Sequence, residues 1–391
     1  MPVLPPPIMT SEPGSFAQRT MMKRKPRVVD QVLASNDYPP DVRARLMGLR
    51  RELLELPARP PSRDGDDASR WYQAWLPWRG HTWLDLPWYL AESLFYRRLL
   101  EAVRYFELGP WYHRDPFALA KAEALAKGLE LARGISPTVG DGNQALRTLI
   151  LRSLWGNQVD LSNNGFDGAL LGTGASLGED HLLVDHTASL VRLLASPKTR
   201  TLHMVCDNAG PELLADLGLV HWLLGNGYIE RASLHLKAHP FFVSDAMPTD
   251  LQRTLQTLRE SSTTSLADLG SRLSNWLQSG HLRVLADRFW TGHLGFRHMP
   301  SDLVDMLSRA DLLLFKGDAN YRRLLDDRHW SPTDDLGRIV SYLQVPFAIL
   351  RTIKAELVVG LPEGVAERTA QMDPQWLVNG QWGLVQLVVN G

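Results

Sequence analysis

Thr201-Leu202-His203-Met204-Val205-Cys206-Asp207-Asn208-Ala209-Gly210-Pro211-Glu212 is the stretch that decides how this chain is read. A short, mostly apolar run ends on an Asp-Asn pair, and beyond a Gly-Pro step Leu213, Leu214, Leu217 and Val220 recur at helical spacing. The pattern predicts a strand over 201–206, a polar turn, and a helix over 212–224. The same alternation continues outward: strands are expected over 233–236, 282–286, 312–315 and 346–350, and helices over 248–258, 266–278 and 300–308. Strands alternating with helices make a mostly parallel sheet covered on both faces, so the expected class is α/β, a three-layer Rossmann-like arrangement. In such a sheet ligands bind beyond the carboxyl ends of the strands.

Upstream the character differs. Val28, Val29, Val32 and Leu33, then Val42, Leu46, Leu49 and Leu53, follow helical periodicity, as does the stripe from Trp88 through Phe95 to Phe106. A chain of 391 residues exceeds what one core usually organises. The expected division is a disordered tail over 1–15, a helical N-terminal domain over 16–150 and an α/β catalytic domain over 151–391. Residues 57–69, rich in Pro, Asp, Arg and Gly, are expected as an exposed loop.

Composition excludes several classes. Lys plus Arg number 42 against 43 Asp plus Glu, which argues against wrapping nucleic acid by bulk electrostatics. The single cysteine, Cys206, rules out an internal disulfide framework and a CxxC zinc site, and points to a reducing, cytoplasmic setting. No run approaches the ~18 apolar residues of a membrane helix, and the proline-rich start lacks the layout of a secretory signal.

Polar clusters follow the expected strands. Asp207 and Asn208 are hard oxygen donors suited to Mg²⁺ or Mn²⁺, although either residue type also caps helices. Asp245, at the end of the run from Lys237 through His239 to Ser244, is a second charged donor or an ordinary turn residue. Lys316, Gly317, Asp318 and Asn320 combine a cation with a glycine-containing helix start, the equipment of a phosphate cradle; a bare turn is the alternative. Arg351 and Lys354 leave the 346–350 strand, where they could neutralise a phosphoryl group or simply lie on the surface. Asn157, Asp160 and Ser162 follow a glycine helix end and read equally as caps. Gly172-Thr173-Gly174-Ala175-Ser176-Leu177-Gly178 has the look of a nucleotide or methyl-donor loop without the preceding strand such a loop needs. His181 and His186 lie in no HExxH pattern.

Taken in order, five of these segments resemble the metal-dependent damage-control phosphatase family, in particular its RTxK-motif branch. They are Trp155-Gly156-Asn157 with Asp160-Leu161-Ser162, Asp207-Asn208-Ala209-Gly210, Phe242-Val243-Ser244-Asp245, Lys316-Gly317-Asp318 with Asn320-Tyr321-Arg322, and Arg351-Thr352 with Lys354. Trp83, Pro87-Trp88, Ala91-Glu92 and Tyr96-Arg97-Arg98 extend the resemblance upstream, and Trp376, Gly380 and Gln386 extend it downstream. The resemblance implies one divalent cation (Mn, Mg, Co or Ni) held by Asp207, Asn208 and Asp245. It implies substrate contact by Lys316, Asp318, Asn320 and Lys354, with Glu92 and Asn157 in the pocket. The implied reaction is hydrolysis of small phosphorylated metabolites such as fructose 1-phosphate or fructose 6-phosphate. Part of the branch was once described as an S-adenosylmethionine-dependent carboxyl methyltransferase, and a noncatalytic sugar-phosphate binding protein is the remaining alternative. The residues leave open whether water or Asp245 attacks, and they carry no oligomeric signal.

Overall fold

The structure, a computed structural model, describes residues 3–133, 142–156 and 178–389. Seven strands form one sheet: β1 (Leu182–Asp185), β2 (Thr201–Val205), β3 (Arg231–His235), β4 (Leu282–Leu285), β5 (Leu312–Lys316), β6 (Phe347–Thr352) and β7 (Gly383–Val388). Their spatial order is β1-β7-β6-β5-β2-β3-β4. β2 to β6 run parallel, β7 is antiparallel to β6, and β1 is parallel to β7. From β2 the chain steps outward through β3 and β4, then returns to β5 on the other side of β2. The strand order therefore reverses between β2 and β5, which is where a crevice opens in an open α/β sheet. Val205 registers with both His235 and Phe315, so the loops after β2, β3 and β5 start level.

Alternation along the strands builds the three layers. Leu312, Leu314, Ala348 and Leu350 face one core, beneath the helices Gly142–Trp155, Thr187–Leu194 and Pro211–Gly225. Leu313, Phe315, Phe347 and Ile349 face the other, against Phe289, Trp290, Leu324 and Trp376. The five strands expected from the sequence all form. β1 and β7 were not anticipated. Gly383, at the start of β7, has no room for a side chain, since a Cβ there would meet the Trp155 ring at 2.7 Å.

The helical part has its own core of Val29, Val42, Leu46, Trp71, Trp83, Phe95 and Leu99, which also takes in Phe241 from the loop after β3. Three expectations change here. Residues 8–10 of the supposed disordered tail are a buried strap: Trp88 N–H donates to the Ile8 carbonyl, Ile8 N–H donates to the Asp327 carbonyl, and Thr10 is fully buried. The reason is that Ile8 and Thr10 fill a seam between the helical part and the sheet layer. The 150/151 boundary falls inside Gly142–Trp155, whose apolar side belongs to the sheet's core. The 57–69 loop is pinned rather than simply exposed: Ala58 and Asp67 are buried, and Asp67 ion-pairs with the buried Arg97 at 3.2 Å. Among the described residues no helix is long and apolar enough to cross a membrane.

Candidate active site

Three loops converge at the reversal point. After β2, Asp207 and Asn208 precede Gly210, whose φ of 74° starts the helix Pro211–Gly225 with Glu212 in its first turn. After β3 the chain loops back onto this pair: Ala209 N–H donates to the Ser244 carbonyl at 2.7 Å and Ala246 N–H to the Asp207 carbonyl at 2.8 Å, and Asn208 bridges Asp245. The return requires two consecutive left-handed residues, Phe242 at φ 44° and Val243 at φ 65°. Side chains there cost about 1–3 kcal/mol each, a strain that concentrates at functional sites. Phe242 is held in the turn by the rings of Tyr89 and Tyr96, with centroids 5.7 and 5.0 Å away. After β5, Gly317 adopts φ 81°, and a Cβ there would sit 1.9 Å from Asp207 Oδ2. Only glycine lets the end of β5 pass this close to the carboxylate.

The acidic pole is crowded and poorly compensated. Asp207 Oδ2 accepts from the Asn208 amide at 2.9 Å, while buried Oδ1 has no hydrogen-bond partner. The Asn208 amide also donates to Glu212 Oε2 at 2.8 Å, and its Oδ1 accepts from the Ser244 hydroxyl. Asp245, 1% exposed, lies 3.2 Å from Lys237 Nζ. Burial, followed by the charges of Glu212 and Asp245, pushes the Asp207 carboxyl well above the usual carboxylate range, against the pull of Lys237 and Lys354. Burial likewise raises Asp245, with Lys237 opposing it. No group of three or more His, Cys, Asp or Glu among the described residues is arranged to hold a metal. The hard-oxygen donors singled out from the sequence are two carboxylates and one amide, and the amide can present its oxygen by a flip.

These groups line a cavity of about 460 Å³. Gly317, Asp318, Thr352 and Lys354 contribute its wall from β5 and β6, and Glu92, Trp88 and Tyr96 contribute from the helical part. Asp318 is set by Arg351, whose Nε and Nη2 lie 2.8 and 2.7 Å from Oδ1, and by the Lys354 N–H at 3.1 Å. Three expected substrate contacts fall elsewhere. Lys316 is fully buried beneath the site, paired with Glu212 at 3.1 Å and Asp216 at 2.9 Å and bonded to the Ser153 carbonyl. Those carboxylates outweigh burial and raise its already high pKa further. Asn320 donates to the carbonyls of Lys316 and Cys206, bracing the ends of β5 and β2. Arg351 turns its guanidinium to Asp318, to the Leu357 and Ala355 carbonyls, and to the Tyr321 ring. All three shape the wall from behind: Lys316 and Arg351 are strand-end residues, which point to one sheet face or the other, and Asn320 sits on the buried side of the helix after β5; sequence position does not say which way any of them turns. Asn157, and all of the glycine loop except Gly178, lie outside the described residues.

Sequence reasoning missed Arg24, Lys25, Arg27, Glu212 and Arg322, all of which line the cavity. The signal was the basic run Lys23-Arg24-Lys25-Pro26-Arg27. It enters the site through a π-helical turn, Thr20–Arg24, in which Lys25 N–H reaches back to the Thr20 carbonyl. Pro26 explains the turn, since its ring would clash with the carbonyl four residues earlier in a regular α-helix. Glu92 joins the two parts of the molecule, lying 2.6 Å from Lys25 and bonded also to Arg322, which pairs with Asp327 and stacks 3.6 Å from the Trp88 ring. Burial opposes the ionisation of Glu92, but the two cations overcome it and hold the carboxyl at about 2. Burial brings Lys25 down to about 8 despite Glu92.

A family model described as the damage-control phosphatase ARMT1-like domain matches residues 20–369. The damage-control phosphatase ARMT1 of Danio rerio is 29% identical, with 98% of this chain and 97% of that protein aligned. The proteins of the same name from Mus musculus and Homo sapiens are 31% and 30% identical, each over 78% of this chain and over 74% and 75% of their own lengths. A crystal structure of a duf89 family protein from Pyrococcus horikoshii superposes on 90% of this chain and 93% of its own with a TM-score of 0.47 and 15% identity. With the family model spanning most of the chain, and the mouse and human proteins at or above 30% identity, this chain belongs to the ARMT1-like family of damage-control phosphatases and is an enzyme of the phosphatase class.

Proposed function

We propose that the protein hydrolyses phosphate monoesters of small metabolites, with sugar phosphates such as fructose 1-phosphate or fructose 6-phosphate as substrates, and that Asp207, Asn208 and Asp245 hold one divalent cation, Mn²⁺, Mg²⁺, Co²⁺ or Ni²⁺. The observation that carries the reading is the Asp207 carboxylate, buried with one oxygen unbonded, crowded by Glu212 and Asp245, and sharing a cavity with Lys354. A bound divalent ion would supply charge stabilisation to the phosphoryl oxygens. The chain's own part is to place the ester. Lys354 neutralises phosphoryl charge, Asp318 accepts hydrogen bonds from sugar hydroxyls on the same wall, and Trp88 and Tyr96 cover the cavity from the helical side. Hydrolysis joins a water oxygen to phosphorus and breaks the bond to the sugar oxygen, which leaves with a proton.

The test is phosphate release from both fructose phosphates with Mg²⁺, Mn²⁺, Co²⁺ and Ni²⁺, using Asp207→Ala as the blank. Metal-dependent release by the native chain, lost in the variant, is expected. Full activity in Asp207→Ala, or no release from either ester with any of the ions, would sink the proposal.

A further inference from the structure

The helical wall of the cavity carries cations that one phosphate does not answer. Arg24, Arg27, Val28 and Gln31 stand at i, i+3, i+4 and i+7, a single stripe of the N-terminal helix, and all four line the cavity. Val29 and Val32, further round that helix, are anchored in the helical core, against which Val28 also packs, so the helix is held with Arg24 and Arg27 toward the cavity. The π-helical turn Thr20–Arg24 ends on the first residue of that stripe.

Charge pairing shows which groups remain for a ligand. Glu212 is answered by Lys316, Asp245 by Lys237 and Asp318 by Arg351, all from behind the wall. Glu92 and Asp327 are answered by Lys25 and Arg322. Arg24, Arg27 and Lys354 have no ion pair among the described residues. Against them stand Asp207 and, because Glu212 and Asp216 share the single Lys316, one further buried carboxylate, which together a divalent ion would offset. A phosphate dianion bound beside Lys354 at the acidic end leaves the two arginines of the helical end unmatched.

We infer that the preferred substrate carries a second anionic group, a phosphate or a carboxylate, at its end remote from the ester that is hydrolysed, and that Arg24 and Arg27 receive it. Which end takes the scissile ester rests on the phosphatase reading above; the preference for a doubly anionic ligand does not. Both arginines are exposed at the cavity rim, so their attraction is partly screened and the effect is moderate.

Fructose 1,6-bisphosphate and fructose 1-phosphate differ only in the second phosphoryl group and serve as probes. Titration calorimetry of the full chain without divalent ion reads the preference without turnover, and kcat/KM with Mn²⁺ reads it again if the esters are hydrolysed. The bisphosphate is expected to bind about tenfold tighter than the monophosphate. In Arg24→Gln/Arg27→Gln the ratio is expected to fall to within about threefold of one, and in Arg24→Lys/Arg27→Lys most of it should return, because the requirement is for charge. Equal affinity of the native chain for the two probes overturns the proposal, and so does a preference that survives the glutamine pair. Hydrolysis failing while the calorimetric preference stands would count against the phosphatase reading alone.

Discussion

Lys25 shows how much one buried side chain contributes that its neighbours in sequence do not. Burial lowers its ammonium to about 8 while Glu92 opposes the fall, so it is charged below that pH and increasingly neutral above it. A cation on the cavity wall that is present at low pH and lost as pH rises makes binding of an anionic ester weaken through that point. The KM for fructose 1-phosphate is therefore expected to rise above pH 8, by about threefold or more at pH 9. Lys25→Arg, which keeps its charge, should flatten the profile. A KM independent of pH from 7 to 9 in the native chain would remove Lys25 from the account. Gly317 makes the complementary point: its φ of 81° and the 1.9 Å approach to Asp207 give a glycine inside a motif a steric reason.

At the scale of elements, the N-terminal strap is the clearest departure from a composition-based reading. Five prolines within the first thirteen residues suggest disorder. Yet the Thr10 hydroxyl bonds the Trp83 and Leu86 carbonyls and lies 3.2 Å from Leu86 N, all within a buried seam. Thr10→Val keeps the shape and removes those bonds, leaving backbone groups unsatisfied at about 1–3 kcal/mol. A fall of that size in urea-denaturation stability is expected, whereas Thr333→Val, in an exposed turn, should change little. Equal stability of the two variants would show that the strap is not part of the folded unit. The turn at Phe242 and Val243 is a second device at this scale, for its left-handed backbone brings Asp245 back onto Asn208.

For the whole molecule, the crowding of carboxylates sets stability against cation binding. Asp207 sits buried near Glu212 and Asp245 with an unbonded oxygen, so the metal-free fold bears a repulsion that a cation would relieve. Saturating Mn²⁺ at about one hundred times its Kd should add about 2.7 kcal/mol of unfolding free energy. Asp207→Asn should abolish that gain and, with one buried charge removed, leave the metal-free protein more stable than the native chain by on the order of 1 kcal/mol. Thermal melts with EDTA and with Mn²⁺ measure both. A variant that still gains stability from Mn²⁺, or that is less stable than the native chain in EDTA, contradicts this site.

Much of this architecture could be read from the chain. The short apolar runs that make β2 to β6, the helices between them and the Asp-Asn turn at 207–208 follow from local composition, helical periodicity and turn chemistry, which neighbouring residues determine by themselves. β1 and β7 were less legible, and β7, antiparallel to β6, breaks the expected alternation. The site residues divide along the same line. Asp207, Asn208, Asp245, Asp318 and Lys354 were found as polar groups at strand ends and do line the cavity. Lys316, Asn320 and Arg351 stand beside them in sequence but turn to carboxylates and carbonyls behind it. Arg24, Lys25 and Arg27 reach the cavity only because the helical part folds over the sheet, and Arg322 lines it from the helix after β5. Sequence alone determined which elements form and where polar groups concentrate, since those depend on local periodicity. Tertiary structure decided which of those groups share a cavity and which neutralise one another, because pairing between residues hundreds of positions apart, such as Glu92 with Arg322, exists only once the layers are packed.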